Sequence, residues 1–218
     1  MTQLAAVLFD MDGTLVETES LWHDAEVAAM EYYGSTWDDE DHTFSLGGPF
    51  DRVVDYMATK AGVASEVMGD RLVDTIGELM RTRPFPVLPG IRDLHAQITA
   101  AGIPTALVTN SFLHLAGLVL ESTGFLFDVI VAGDQLTENK PHPLPYQTAC
   151  AQLNVEPAST VVLEDSRTGI ASASAAGCFV VIVPGKLAIE AEARQIVVES
   201  AAEVDLDDLK GFISGSTS

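Results

Sequence analysis

Asp10 and Asp12 stand two residues apart at the end of the apolar run Leu4-Ala5-Ala6-Val7-Leu8-Phe9, with Gly13 and Thr14 after them. A continuous apolar run that closes on acids and a glycine fits a central parallel strand delivering its carboxyl end into a ligand crevice. Asp10 is placed to act as a nucleophile toward phosphorus, because a carboxylate can form an aspartyl phosphate and so divide a hydrolysis into two easier steps. Asp12 is placed to give a proton to the leaving oxygen and later to take one from the attacking water. Two acids this close repel each other, and a bound Mg²⁺ would offset the repulsion while bridging Asp10 to the phosphoryl oxygens. The competing explanation is an Asx-rich turn without chemistry.

Three more segments end in residues of this kind. Thr109, Asn110 and Ser111 follow an apolar strand and offer hydroxyl and amide donors, suited either to holding a phosphoryl group or to starting the next helix. Lys140, braced by Pro141-His142-Pro143, can neutralise both Asp10 and a phosphoryl group; the alternative is an exposed lysine that serves solubility. Glu164 and Asp165 close the run VVLEDS and supply a hard oxygen pair of the sort Mg²⁺ prefers, Asp165 as a direct ligand and Glu164 directly or through water.

The elements that must position these residues alternate. Strand-like runs at 4–9, 105–109, 129–132, 160–163 and 179–183 are separated by helix-like segments at 91–101, 112–122, 143–153 and 168–176. That order predicts an α/β core, a mostly parallel sheet covered on both faces by helices. The first crossover is too long for the pattern: about 90 residues separate Asp12 from the strand at Thr105, with helical periodicity at 21–33, 50–60 and 65–81. A small helical cap domain at 16–85 is therefore expected inside a core made of 1–15 and 86–218, with the proline-rich turn at 84–90 marking the return. Such an insert can serve as a lid. After the last strand, 190–200 reads as helix, 204–212 as a segment packing back, and 214–218 as frayed.

The net charge of −21, from 32 acidic against 11 basic side chains, argues against nucleic acid and anionic lipid as partners. It also means that an anionic substrate must be attracted locally, which a divalent cation would achieve. The 47% hydrophobic content holds no uninterrupted membrane-length apolar stretch and no signal-peptide pattern, so a soluble, cytoplasmic enzyme is expected. Cys150 and Cys178 each fall in an apolar or alanine-rich segment and read as free buried thiols.

The sequence resembles the haloacid dehalogenase-like hydrolases, in the subgroup with a helical cap after the first motif. The likeness runs from DMDGTLVETESLWHDAE (10–26) through LVTNS (107–111) and GDQLTENKPHPLPY (133–146) to VVLEDSRTGIASASAAG (161–177). The resemblance implies a Rossmann-like three-layer core, Mg²⁺, Asp10 as nucleophile and Asp12 as acid/base. It further implies Thr109 and Lys140 as phosphoryl binders, and Asp165 with Glu164 at the metal beside the Asp12 backbone carbonyl. Haloacid dehalogenases lack the paired acids, so Asp12 points to the phosphatases and phosphomutases. The mutase branch resembling beta-phosphoglucomutase usually shows a histidine ten residues after the second acid, where this chain has Trp22 and places His23 one later. The cap's start looks more like the sugar-phosphate phosphatases.

The expected activity is a Mg²⁺-dependent phosphatase of a small phosphorylated metabolite, acting as a monomer or weak homodimer. A phosphosugar mutase and a catalytically idle interaction protein of the same fold are the alternatives. Specificity would come from the cap, with Glu19, Trp22, His23, Gly47, Gly48, Arg52 and Lys60 as candidates. The glycines of LGGPFDRVV would allow close approach to substrate, and Arg52 could answer a hydroxyl or a second phosphate. The plainer alternative makes Arg52 a helix-surface residue and Trp22 part of the cap core.

Overall fold

The computed structural model describes residues 3–45, 49–183 and 189–215. In chain order the elements are β1 (Ala6–Phe9), α1 (Glu19–Tyr32), α2 (Asp39–Ser45), α3 (Phe50–Ala61), α4 (Ser65–Thr82), α5 (Ile91–Ala100), β2 (Thr105–Val108), α6 (Leu113–Thr123), β3 (Val129–Val131), α7 (Leu144–Leu153), β4 (Thr160–Glu164), α8 (Arg167–Ala176), β5 (Phe179–Ile182), β6 (Gln195–Val197) and α9 (Leu206–Ser214). The chain divides into two compact units, one of residues 1–17 and 86–218 and the other Thr18–Phe85.

The first unit is a three-layer α/β structure around a six-stranded parallel sheet in the order β3-β2-β1-β4-β5-β6. Every residue of β1, β2 and β4 is buried, which is why these strands are mostly apolar rather than alternating. On one face Leu8, Val108 and Val162 pack with Tyr146, Cys150, Ile170 and Ala173 of α7 and α8. Phe9 meets the ring of His95 on α5 at 5.9 Å and that of Phe127 at 5.7 Å. Burial of one such large apolar side chain contributes about 1.5–3 kcal/mol, so the strands beside the site are firmly anchored. Cys150 and Cys178 are both free and buried.

Register places the chemistry. Phe9 pairs with Leu107 on one side and Leu163 on the other, so the residues after β1, β2 and β4 emerge at one edge of the sheet. The chain order reverses at β1, the switch point where an open parallel sheet leaves a crevice beyond its carboxyl ends.

One element differs from the sequence expectation. Within 190–200, expected as helix, the chain forms β6, which pairs in parallel with β5 from Val180↔Gln195 to Ile182↔Val197. The free edge of β5 offers a hydrogen-bonding ladder, and the β-branched pair Ile196-Val197 suits a strand better than the alanines and glutamates before it suit a helix. Residues 204–212 do pack back, as α9, whose start is capped by Asp205 accepting from the amides of Asp207 and Asp208.

Among the described residues the regular elements of the second unit are all helices. α1 and α4 bury Leu21, Ala25, Ala29 and Met30 with Met68, Leu72, Ile76 and Met80, and α3 contributes Val53, Val54 and Met57. The short helix α2 has no apolar period to announce it; Asp38 starts it by accepting from the amides of Glu40 and Asp41, each at 3.0 Å. No helix among the described residues is long and apolar enough to cross a membrane.

Candidate active site

Asp10 follows β1 directly and is 7% exposed. Its backbone amide donates to the carbonyl of Leu163, 3.1 Å, which fixes the end of β1 against β4. Opposite it Lys140 is 3% exposed, and its ammonium donates to Asp10 Oδ1 at 2.6 Å, Glu164 Oε1 at 2.6 Å and the carbonyl of Val108 at 2.9 Å. These three bonds engage the whole donor capacity of a lysine. The Lys140 backbone is itself held by Asn110, whose Oδ1 accepts from the Lys140 amide at 3.0 Å while its Nδ2 donates to the Lys140 carbonyl at 3.2 Å. The Asn110 amide, expected to meet phosphate, thus also braces the loop that carries the lysine.

Glu164 is fully buried. Its Oε1 accepts from Lys140 and, at 2.8 Å, from the hydroxyl of Tyr146; its Oε2 accepts from the amides of Asp165 and Ser166 and from Ser166 Oγ, at 3.0–3.1 Å. Ser166 Oγ also accepts from the Gly169 amide at 3.0 Å and so caps α8. A side chain at Gly169 would collide with the Glu164 carboxylate, and one at Gly13 with that of Asp165. Gly13 also has φ of +86°, a conformation that favours glycine. Both glycines are therefore part of how the acids fit.

Asp12 is held by a different set of partners. Its Oδ2 accepts from Ser111 Oγ at 2.7 Å and from Thr109 Oγ1 at 3.5 Å, and Thr109 Oγ1 accepts from the Ser111 amide at 3.0 Å. Asp165 accepts from Thr14 Oγ1 at 3.3 Å. One carboxylate oxygen each from Asp10, Glu164 and Asp165 lies within 4.8 Å of the others.

Three acids and one ammonium are electrostatically unbalanced. Burial, reinforced by the Glu164 carboxylate, raises Asp10 to about 7 in spite of Lys140. Burial, then the charges of Asp10 and Glu164, raises Asp165 to about 9. Burial alone would depress Lys140, but the two carboxylates outweigh it and hold its pKa above the usual lysine value. A donor set of hard oxygens with surplus negative charge fits a divalent cation of the Mg²⁺ type.

The residues singled out in the core therefore meet: Asp10, Lys140, Glu164 and Asp165 in one cluster, Asp12 with Thr109 and Ser111 beside it. Tyr146 and Thr14 were not foreseen, because an aromatic in a helix and a threonine in a turn carry no chemical signature in sequence. Among the cap candidates, Trp22 meets the ring of Phe50 edge-on at 6.5 Å. Arg52 is exposed, lies over the ring of Phe44 and donates to the Phe44 carbonyl at 2.9 Å. Lys60 pairs with Asp41, and His23 meets His42. Glu19 opens α1, while Gly47 and Gly48 lie outside the described residues.

This arrangement of strand ends and acids defines a hydrolase class, and the chain belongs to the haloacid dehalogenase-like hydrolases, whose family model matches residues 7–183. It is 32% identical over 189 residues to hexitol phosphatase B of Escherichia coli K12, covering 84% of each chain. A crystal structure of CbbY from Rhodobacter sphaeroides in complex with xylulose-(1,5)bisphosphate superposes with a TM-score of 0.85 at 30% identity, covering 95% of this chain and 99% of that one. Beta-phosphoglucomutase from Clostridium difficile, 22% identical, covers 97% of this chain and 98% of its own with a TM-score of 0.82, and shares the fold.

Proposed function

We propose that this hydrolase is a Mg²⁺-dependent phosphatase of a small phosphorylated carbohydrate, with Asp10 as nucleophile. The observation that carries the reading is the junction of Asp10, Lys140, Glu164 and Asp165 beside a separately bonded Asp12. The phosphatase and CbbY relatives, whose names or bound molecules concern phosphorylated sugars and polyols, support the substrate class.

An oxygen of Asp10 attacks phosphorus, and the bond from phosphorus to the sugar oxygen breaks as Asp12 gives that oxygen its proton. Asp12 then takes a proton from water, the water oxygen attacks phosphorus, and the bond to Asp10 breaks to release phosphate. Ser111 and Thr109 orient Asp12 for both transfers, and Lys140 holds Asp10 in place with its charge balanced. Asp10 and Asp165, with the Asp12 carbonyl, would hold Mg²⁺, which when bound neutralises phosphoryl charge. Glu164, with both oxygens engaged by protein donors, acts as the organiser of Lys140 and of the turn after β4, and would contribute its charge to holding the ion. The helical unit serves as the specificity-giving cap, with Trp22 and Arg52 among its candidate contacts.

The test is phosphate release with Mg²⁺ across sugar phosphates, polyol phosphates, nucleotides and phosphoglycolate, with hexose 1-phosphates checked for isomerisation. Asp10→Asn is expected to lower turnover about 10³-fold or more. Unchanged release in that variant would remove Asp10 as nucleophile, and isomer without release would favour the mutase.

A further inference from the structure

The helical unit carries a second group of ligand-type side chains. His23 and Glu26 stand three residues apart on one face of α1. His42 on α2 meets both: its ring centroid lies 4.1 Å from that of His23, and its Nδ1 lies 3.3 Å from Glu26 Oε2. Glu26 is 5% exposed, and its Oε2 also accepts from Trp37 Nε1 at 2.9 Å. One ligand atom from each of the three residues lies within 4.8 Å of the others.

His23 Nδ1 is buried and has no hydrogen-bond partner. Such an orphaned nitrogen is costly unless a ligand satisfies it, and a metal ion held with Glu26 and His42 would do so. Two imidazoles and a carboxylate form a donor set that suits Zn²⁺ and its first-row neighbours, in contrast to the all-oxygen set beside Asp10. The Trp37 indole is the orienting donor that metal-bound carboxylates commonly have. Around a tetrahedral Zn²⁺ the ligand atoms would stand about 3.4 Å apart, closer than the 4.8 Å limit within which they now lie, so binding would draw the three side chains together. We infer that His23, Glu26 and His42 bind one first-row transition-metal ion, Zn²⁺ foremost, and that the ion ties α2 to α1.

The full chain, stripped of metal and then held in excess Mg²⁺ to saturate the carboxylate site, is titrated with Zn²⁺ while heat and histidine ring NMR signals are followed. One equivalent should bind, with the rings of His23 and His42 shifting and those of the other three of the five histidines still. His23→Ala and His42→Gln should each weaken binding about tenfold or more, while Asp165→Asn retains it. The inference is overturned if the His23 and His42 rings of the unmodified chain do not respond, a readout that needs no variant to fold. It is equally overturned if Zn²⁺ affinity is unchanged in both histidine variants, or if Asp165→Asn abolishes it.

Discussion

Two clusters in this chain combine a buried carboxylate with a lysine and a tyrosine to opposite effect. In the helical unit Asp41, 3% exposed, accepts from Tyr56 at 2.6 Å, from the Asp38 amide at 2.9 Å and from Lys60. In the core unit Lys140 and Tyr146 serve Glu164 in the same way, but Asp10 and Asp165 crowd the same space. Burial would raise Asp41, yet its bonds from Lys60, Tyr56 and Asp38 outweigh that and hold it at about 2, whereas Asp10 and Asp165 rise to about 7 and 9. One acid per cation makes a structural tie; three acids per cation make a centre that recruits another positive charge. Burial and the number of carboxylates act together to separate the two: Lys140 and Tyr146 are buried with the acids they serve, whereas Lys60 and Tyr56 are exposed around a single one.

Lys140→Met should break the comparison most severely, because it leaves Asp10 and Glu164 buried without their cation. A loss of about 3–5 kcal/mol is expected in denaturant melts. The loss should be smaller at pH 5 than at pH 8, because protonation neutralises acids the lysine no longer serves. Next in size is the response to Mg²⁺: the ion at about 100 times its dissociation constant should stabilise the chain by about 2.7 kcal/mol. Asp165→Asn should abolish most of that gain, and a gain that survives it would place the ion elsewhere.

Asp41→Asn should cost about 1–3 kcal/mol, read by thermal or urea unfolding. The sign with pH is definite. A folded pKa of about 2 against an ordinary 3.8 means that Asp41's contribution is complete above about pH 4 and disappears as pH falls through 2. Acid titrations of the two proteins should therefore converge in that window. The mildest change is Tyr146→Phe, which removes one of several donors to Glu164 and should cost about 1 kcal/mol. A much larger loss would show that the hydroxyl, and not Lys140, sets the geometry of Glu164.

Much of this was legible in sequence because the site is built on strand ends. Asp10, Thr109 and Glu164-Asp165 each close or follow a buried apolar run, so period and position could be read together. Lys140 was legible as a cation in an acidic chain, but its bonds to Val108 and Glu164 depend on a long-range fold. Tyr146 was not legible, since it meets Glu164 across 18 residues of chain from within a helix. Strand β6 was misread because its pairing partner, the edge of β5, decides its conformation. α2 escaped notice because the polar cap of Asp38, rather than an apolar stripe, begins it. In the cap candidates residue type alone could not separate Arg52 as ligand-binder from Arg52 as surface residue; it is exposed and gives one of its five donors to the Phe44 carbonyl.

The saturated ammonium of Lys140 has a spectroscopic consequence. A lysine whose three N–H bonds are all buried and accepted exchanges its protons with water slowly, so its ¹⁵N–¹H₃ signal should be resolved where exposed ammonium signals vanish. The chain has only four lysines, which makes that signal easy to assign. An arriving phosphoryl group can gain a bond from Lys140 only if one of the existing three is given up. The signal would thus report, without any label on the substrate, the moment at which the lysine changes its allegiance from protein to ligand.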